Sequence, residues 1–384
     1  MKILYLIKSC ALKAGLERVI FDKMNWLAKN GYEIMLVTYE QGRHPLAYPL
    51  HPSITYVDLN VRFFELGRHF LLCRVWLLLR YRSRFRKNFQ KVVDNFHPDF
   101  IVTTTYQMKL VDIVLDIKSD ACRIIESHVA CFKVKKSTDY EHNSFVMPFA
   151  KLYDAYFLGR LKRFKKLIVL TKGDAVDWSK YVGNIDVIPN PITFFPDSLS
   201  FEYNEHHRII AVGRLHEQKG FDLLINAFAK ISDKCPEWHL DIFGEGEDEC
   251  FLQKQISQYA LDKRVVLHHP ISTIYEEYMK SDFYVLSSRY EGYPLVLNEA
   301  MSCGTPCVAF RCKYGPEEAI TDKVNGLLVE NGNVDSLAEA MLWMIKHPEE
   351  RRVMRNAARN TAARYKKDEI MKKWVSLFDS LISS

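Results

Sequence analysis

Short runs of β-branched and aromatic residues alternate with longer stretches of helical period from the start of the chain. I-L-Y-L-I (3–7), E-I-M-L-V-T (33–38), I-T-Y-V-D-L (54–59), D-F-I-V-T-T (99–104), C-R-I-I-E-S (122–127) and K-L-I-V-L-T (166–171) each read as a strand. Strands separated by helical spacers predict a parallel α/β sheet. The rhythm restarts with R-I-I-A-V-G (208–213) and continues through W-H-L-D-I-F-G, R-V-V-L-H, D-F-Y-V-L-S-S, T-P-C-V-A-F and N-G-L-L-V. Between the two series, in I-P-N-P-I-T-F-F-P-D-S-L-S, three prolines interrupt both periods. The pattern therefore predicts two doubly wound domains, residues 1–195 and 196–365, joined near 190–200. Beyond them, residues 366–384 carry Trp374, Leu377, Phe378 and Leu381 at helical spacing and predict a terminal helix. Open α/β sheets bind ligands outside the carboxyl ends of their strands, so the chemistry is expected in a cleft between the halves.

Length and composition agree with this division. A chain of 384 residues exceeds what one core usually serves, and 48% hydrophobic with 26% charged residues is a globular balance. The apolar stretch 70–79 is interrupted by Arg74 and is too short to span a bilayer. The N-terminal apolar run has five residues and no small-residue cleavage site close behind it, so it reads as a first strand and not as a signal peptide. Nine scattered cysteines do not make a disulfide framework, and a cytoplasmic location is expected. Cys303, Cys307 and Cys312 lack zinc-ligand spacing, and no metal is expected.

Charge changes the picture more. Residues 1–200 hold 30 Lys and Arg against 19 Asp and Glu, whereas residues 201–384 hold 23 against 28. A basic half next to an acidic one suggests an anionic partner. Residues 62–91 concentrate the positive charge, with Arg80, Arg82, Arg84 and Arg86 interleaved among Phe70, Trp76, Leu77 and Leu78. A basic helix with aromatic anchors suits peripheral contact with an anionic membrane, here the inner face. A domain helix that packs its leucines and solvates its cations fits equally well. No recognition motif accompanies the charge, so nucleic acid is not expected.

The chemistry-bearing motifs lie mainly in the second half. S-S-R-Y-E-G-Y-P-L-V-L-N-E-A-M-S-C-G-T-P-C-V-A runs from a buried strand through a glycine turn into a helix starting near Pro294. Proline suits the first helical position, where its missing N–H has no partner to lose. The N–H groups of Leu295 and Val296 would then be open to a phosphate. Glu291 precedes this helix and Glu299 lies about 7.5 Å further along its axis, so two carboxylates bracket one anion site. Carboxylates accept hydrogen bonds from vicinal hydroxyls, a layout suited to a sugar nucleotide. The plainer alternative has Glu291 complementing the helix dipole and Glu299 facing solvent.

A-V-G-R-L-H-E-Q-K-G-F-D-L-L-I-N-A-F is a second strand, loop and helix. Lys219 falls near the helix start, where a cation calls for an anion. With Arg214 in the same loop, the two would clamp a diphosphate, or else remain solvated surface cations. F-G-E-G-E-D-E lacks the third glycine of a dinucleotide fingerprint, and acidic residues follow it directly. In the first half, I-I-E-S-H-V-A sets Glu126 and His128 at a strand end, where His128 would bond a sugar hydroxyl or serve a structural role.

G-R-L-H-E-Q-K-G, F-G-E-G, E-G-Y-P-L-V-L-N-E-A-M-S-C-G-T-P-C-V, G-P-E-E-A-I and N-G-L-L-V follow in this order and cover most of residues 210–330. Together they resemble the retaining glycosyltransferases of the GT-B fold, glycosyltransferase family 4. The resemblance implies two Rossmann-like domains facing across a cleft, with C-terminal helices crossing back onto the first domain. It implies that Glu291 contacts the donor sugar and Glu299 the ribose, that Arg214 and Lys219 clamp the diphosphate, and that Tyr293, Leu295 and Val296 lie beside it. His128 is similar to the family histidine that reaches the donor sugar. The family often has two adjacent glycines in its first loop, where this chain has Ala14 and Gly15, so Gly15 alone stands for that phosphate contact.

The implied reaction transfers a sugar, with retention and without metal or cofactor, from a nucleotide-diphosphate donor to a saccharide or lipid-linked saccharide acceptor. A UDP-sugar and a place in surface polysaccharide or glycolipid assembly are expected. The competing classes are a nucleotide-sugar epimerase or hydrolase of related fold and a non-catalytic accessory subunit.

Overall fold

The computed structural model describes residues 1–12, 15–68, 70–135, 147–197 and 206–383. Ala14 and the last residues of the proline-rich joint therefore lie outside the described residues. The chain forms two units, Met1–Pro189 with Met371–Ser384, and Asn190–Ile370.

In the first unit seven parallel strands lie in the order β3-β2-β1-β4-β5-β6-β7. They are β1 (Lys2–Ile7), β2 (Glu33–Thr38), β3 (Thr55–Asp58), β4 (Phe100–Thr104), β5 (Cys122–Ser127), β6 (Lys166–Val169) and β7 (Ile185–Val187). Ile3 of β1 faces Ile34 on one side and Phe100 on the other. The strand order therefore reverses between β1 and β4, the position at which doubly wound sheets bind ligands. β1, β2, β4 and β5 read as nearly unbroken apolar runs because helices cover both faces of the sheet. Leu4, Leu6, Ile101 and Ile125 pack with Phe85, Phe89 and Trp178 in one core.

The second unit repeats the plan with six parallel strands in the order β10-β9-β8-β11-β12-β13. These are β8 (Arg208–Val212), β9 (His239–Phe243), β10 (Val265–His268), β11 (Phe283–Leu286), β12 (Cys307–Phe310) and β13 (Gly326–Val329). Here the order reverses between β8 and β11. Every strand expected from the sequence is present, and β7 is added: its I-D-V is too short to show a period. Cys303, Cys307 and Cys312 are buried thiols on and around β12.

The last helix, Lys367–Ile382, belongs from Met371 onward to the first unit. Trp374 and Phe378 are its buried anchors, the Phe378 ring lying 4.8 Å from that of Phe100. The expected return of the C-terminus to the first domain is therefore observed.

The F-G-E-G motif is a packing device. A Cβ on Gly244 would lie 1.9 Å from the Gly213 carbonyl oxygen, and one on Gly246 2.1 Å from that of Leu215. The two loops are stitched by Gly213 N–H to Phe243 O at 3.0 Å and Leu215 N–H to Glu245 O at 2.9 Å. The glycines thus hold the Arg214 loop against the end of β9. Gly244→Ala is expected to cost about 1–3 kcal/mol through overpacking, whereas Gly183→Ala, with no neighbour within 4 Å, should change stability by less than about 0.5 kcal/mol. Denaturant unfolding of the two variants checks the contrast, and equal stabilities would refute it.

Candidate functional site

In the second unit the candidate residues gather at the carboxyl ends of β8 and β11, the strands flanking the reversal. After β8 the chain passes Gly213 and Arg214 and makes a single 3-10 turn, Glu217–Lys219. Gly220 follows at φ 62°, where a Cβ would sit 2.1 Å from the Ser287 carbonyl oxygen. This close approach fixes Lys219, whose carbonyl accepts from Ser287 Oγ at 2.9 Å. The stem of Lys219 folds back over Gly213, and its Nζ donates to Glu291 Oε1 at 2.7 Å. Ser288 Oγ donates to the same oxygen at 2.6 Å. Glu291 is buried and also ties its backbone to Lys313 and Tyr314. The anion that Lys219 calls for is therefore, in this structure, Glu291. The two residues expected to hold different parts of a ligand form one ion pair.

The helix after Glu291 differs in detail from expectation. It spans Leu295–Ser302, with Pro294 as its N-cap and not as its first residue. The Leu295 N–H is spent on Tyr293 O at 3.0 Å, and the Leu297 N–H on Pro294 O at 3.1 Å. Leu295 thus donates to its own turn, and Val296 is left as the N–H of the first turn without a backbone acceptor among the described residues. Glu299 is half-buried on this helix, and its Oε1 accepts from Thr193 Oγ1 at 3.2 Å. The Tyr293 hydroxyl donates to Asn190 O at 3.2 Å and accepts from Asn298 Nδ2 at 3.1 Å. Burial holds this phenol well above its ordinary pKa. The hydroxyl of Tyr293, a residue expected beside the diphosphate, thus braces the helix. Arg214 is exposed and makes no ion pair among the described residues, so its donor fork is available to an anion. His268, at the end of β10, stacks on Phe243 and bonds Asp241 Oδ1 at 2.7 Å.

In the first unit, Gly15 starts the helix Gly15–Lys29 and is exposed. Glu126 ends β5 almost wholly buried, and Lys23 Nζ reaches its Oε2 at 2.6 Å. His128 Nε2 lies 3.0 Å from the same oxygen. Burial by itself would raise the Glu126 carboxyl, but the Lys23 ammonium and then the His128 ring outweigh it and hold it at about 2. Burial pulls Lys23 downward against the pull of Glu126. The ammonium also sits 3.8 Å from the Trp374 ring centroid, a cation–π contact with the terminal helix. Sequence reasoning passed over Lys23 and Ser288. Lys23 was detectable: it shares a face with Val19, Ile20, Met24 and Leu27, where a lysine needs a buried anion.

The basic stretch divides in two. The helix Leu71–Phe96 buries Phe85, Phe89, Val93 and Phe96 in the core and leaves Val75, Trp76 and Leu79 exposed beside Phe70. Its second half is thus a domain helix, and its first half presents an apolar and basic surface, with Arg80 stacked 5.3 Å from Trp76. Among the described residues, no helix is long and apolar enough to cross a membrane.

Residues 200–361 match the family model of the glycosyl transferases group 1. The match covers most of the second unit. Along nearly its whole length the chain is 26% identical to an uncharacterized glycosyltransferase of Haemophilus influenzae, over 97% of this chain and 98% of that one. It is 25% identical to the amylovoran biosynthesis glycosyltransferase AmsD of Erwinia amylovora, with the same coverage. The crystal structure of a mutant of S. aureus TarM in complex with Fondaparinux, alpha-GlcNAc-glycerol and UDP superposes with a TM-score of 0.74 at 17% identity, over 98% of this chain and 99% of that one. At that identity the likeness concerns the fold, two Rossmann-like domains of the GT-B class. The Arg214 loop, the Lys219–Glu291 pair and Glu299 all fall inside the matched residues.

The buried pair in the first unit has a measurable consequence. Lys23→Met leaves Glu126 without its cation and is expected to cost about 3–5 kcal/mol, most of it recovered on adding Glu126→Gln. Because the folded carboxyl titrates below its unfolded value, its contribution is complete above about pH 4.3 and is lost as pH falls toward 2. Urea unfolding of the single and double variants between neutral and acid pH reads both effects. Equal losses in the single and double variants would show the pair to be uncoupled.

Proposed function

We propose that the protein is a retaining glycosyltransferase that moves a sugar from a nucleotide-diphosphate donor, a UDP-sugar, to a saccharide or lipid-linked saccharide acceptor in surface polysaccharide or glycolipid assembly. The observation that carries this reading is the convergence of Arg214, the Lys219–Glu291 pair, the Val296 N–H and Glu299 at the β8–β11 reversal of the second unit. Two cations and a backbone donor there suit a diphosphate. Two carboxylates on either side suit the hydroxyls of a ribose and of a second sugar. UDP in the TarM complex supports the choice of base, and the name of AmsD supports polysaccharide assembly. The exposed Trp76 and Leu79 among arginines support contact of a lipid-linked acceptor's membrane with the helix Leu71–Phe96.

Each residue then has a role. Arg214 grips diphosphate oxygens with its planar fork, and Lys219, already oriented by Glu291, adds a point charge as negative charge builds on the leaving group. Val296 N–H donates to the phosphate nearest the helix. Glu299 accepts from the ribose hydroxyls, and the second oxygen of Glu291 accepts from the transferred sugar. His128 offers a hydrogen bond to that sugar. The bond from the anomeric carbon to the diphosphate oxygen breaks as the bond to the acceptor oxygen forms on the same face. The acceptor proton passes to a diphosphate oxygen, with no glycosyl-enzyme intermediate. The cations do the neutralising, so the reaction is proposed to need no metal.

Ligands that bind the folded state raise its stability. Unfolding temperatures with UDP-, GDP- and ADP-sugars and the free nucleotides should therefore rise with the uridine series, and the rise should vanish in Arg214→Ala and Glu299→Ala. No rise with any nucleotide in a folded sample would remove the donor reading. Activity should survive EDTA and release nucleotide only with acceptor present. Release without acceptor would favour a hydrolase or epimerase, and loss of turnover with EDTA would overturn metal independence.

A further inference from the structure

The first unit holds an open cavity of about 440 Å³ that no step of the proposed reaction uses. The helix Met147–Leu161 lines it with Lys151, Asp154, Ala155 and Gly159, which recur on one helical face, and Lys162 continues that face just past the helix end. The rest of the lining includes Lys135, which ends the short helix Cys131–Val134, and Lys180 and Tyr181, which follow the helix Lys172–Ser179. The volume falls within the range of ligand sites, roughly 300–1,000 Å³. Ala155 and Gly159 leave the space open, and a Cβ on Gly159 would meet no atom within 4 Å.

The lining is strongly one-sided in charge. It carries four ammonium groups and one carboxylate, that of the buried Asp154. Lys180 is answered by Asp177 at 2.7 Å. Lys135 Nζ donates to the Tyr181 hydroxyl at 3.0 Å and lies 5.1 Å from that ring's centroid, and neither contact neutralises it. Lys151 and Lys162 are exposed and form no ion pair among the described residues. With Asp154 and Asp177 both set against the four lysines, two positive charges remain in excess. Like charges held around one hollow repel each other and attract an anion.

The spacing of the cations says what kind of anion. Lys162 lies eleven positions after Lys151, about 16 Å along a helix axis, too far for both to hold one phosphate. Lysines are point charges with rotatable donors, unlike the arginine fork that clasps a single phosphate. An elongated ligand with several negative charges meets this layout. The exposed Leu152 and Tyr156 do not line the cavity, so it offers no long apolar side chain to enter a bilayer. A hydrophilic chain fits it better than a lipid surface does.

We propose that this cavity binds a saccharide chain that carries repeated negative charges, with Lys151 and Lys162 as its main contacts. The saccharide rests on the glycosyltransferase reading, in which such a chain is the acceptor, and the preference for an anion rests on the lining alone.

The test measures binding to the full chain of oligogalacturonate, a neutral malto-oligosaccharide of equal length, tripolyphosphate and phosphatidylglycerol vesicles, at low and at moderate salt. Lys151→Glu with Lys162→Glu reverses the two main contacts. Lys29→Glu with Lys91→Glu makes the same change of net charge at exposed positions outside the lining. Gly159→Phe fills the cavity and alters no charge, and Ala155→Phe replaces it if it fails to fold. Oligogalacturonate should bind, more weakly as salt screens the exposed ammoniums, and the neutral chain should not. Its affinity should fall about tenfold or more in the cavity pair and in the filled variant, and less than about twofold in the outside pair. Equal losses in the two charge pairs would reduce the effect to overall charge and overturn the site, as would undiminished binding by the filled variant. Tripolyphosphate bound as tightly as oligogalacturonate, or vesicles bound in its place, would overturn the saccharide assignment, and a wild type that binds none of the four probes would overturn the proposal. The rise in unfolding temperature with UDP-sugars should be the same in all these variants. Its absence from wild type would sink the proposed function, and oligogalacturonate binding would still decide the cavity.

Discussion

A carboxylate taken out of water must find a cation, and that constraint organises both halves of this protein. Glu126, near the end of β5, and Glu291, in the turn beyond β11, are both buried, and each is held by one lysine, Lys23 at 2.6 Å and Lys219 at 2.7 Å. In both units the lysine comes from the segment that follows the first strand of its sheet, after β1 or after β8. Neither pair is an efficient way to gain stability, since well-packed apolar residues in their place would often do as well. What such a pair supplies is orientation. It fixes a charged side chain in one rotamer at the edge of the sheet where ligands bind, and it does so before any ligand arrives.

Around this constraint the glycines and aromatic residues fall into place. Gly213, Gly220, Gly244 and Gly246 let the two loops beside Lys219 approach within hydrogen-bonding distance of each other's backbone. Trp374 closes over Lys23 from the terminal helix, so the last turns of the chain help keep the first unit's charged cluster dry. An aromatic face suits that position, because it excludes water while still attracting the ammonium.

The architecture was readable because a parallel sheet buried on both faces leaves apolar runs, as in K-I-L-Y-L-I of β1 and F-Y-V-L of β11, and helical spacers separate them. β7 carries none and is an edge strand of three residues, defined by its pairing with β6 alone. The site was readable in its parts and not in its pairings. Glu291, Lys219 and Arg214 announce themselves by residue type beside glycine turns, and His128 by its place at a strand end, but Lys219 and Glu291 are 72 positions apart, and no local pattern encodes their contact. The open N–H expected of Leu295 differs from the structure for a related reason: a helix-start N–H looks free in a sequence until the turn that satisfies it is built. Lys23 shows the reverse case, a contact hidden in three dimensions whose signature, a lysine on the apolar face of a helix, is plain in one.

The Lys219–Glu291 pair also bears on how an anion would be received. A lysine with no partner would be hydrated, and a diphosphate would have to displace that water and order a flexible side chain, at a cost of up to about 2 kcal/mol in lost rotamers alone. Held by Glu291 and lying along Gly213, Lys219 has already lost that freedom. Its remaining N–H bonds are directed by the ion pair and not by solvent. The same carboxylate lowers the net positive charge of the loop, so the exposed Arg214 is left as the cation that makes first contact. On the proposed function, an exposed arginine and a fixed, half-buried lysine would divide the labour: the first would capture charge at range, and the second would meet it only after the ligand had been drawn close.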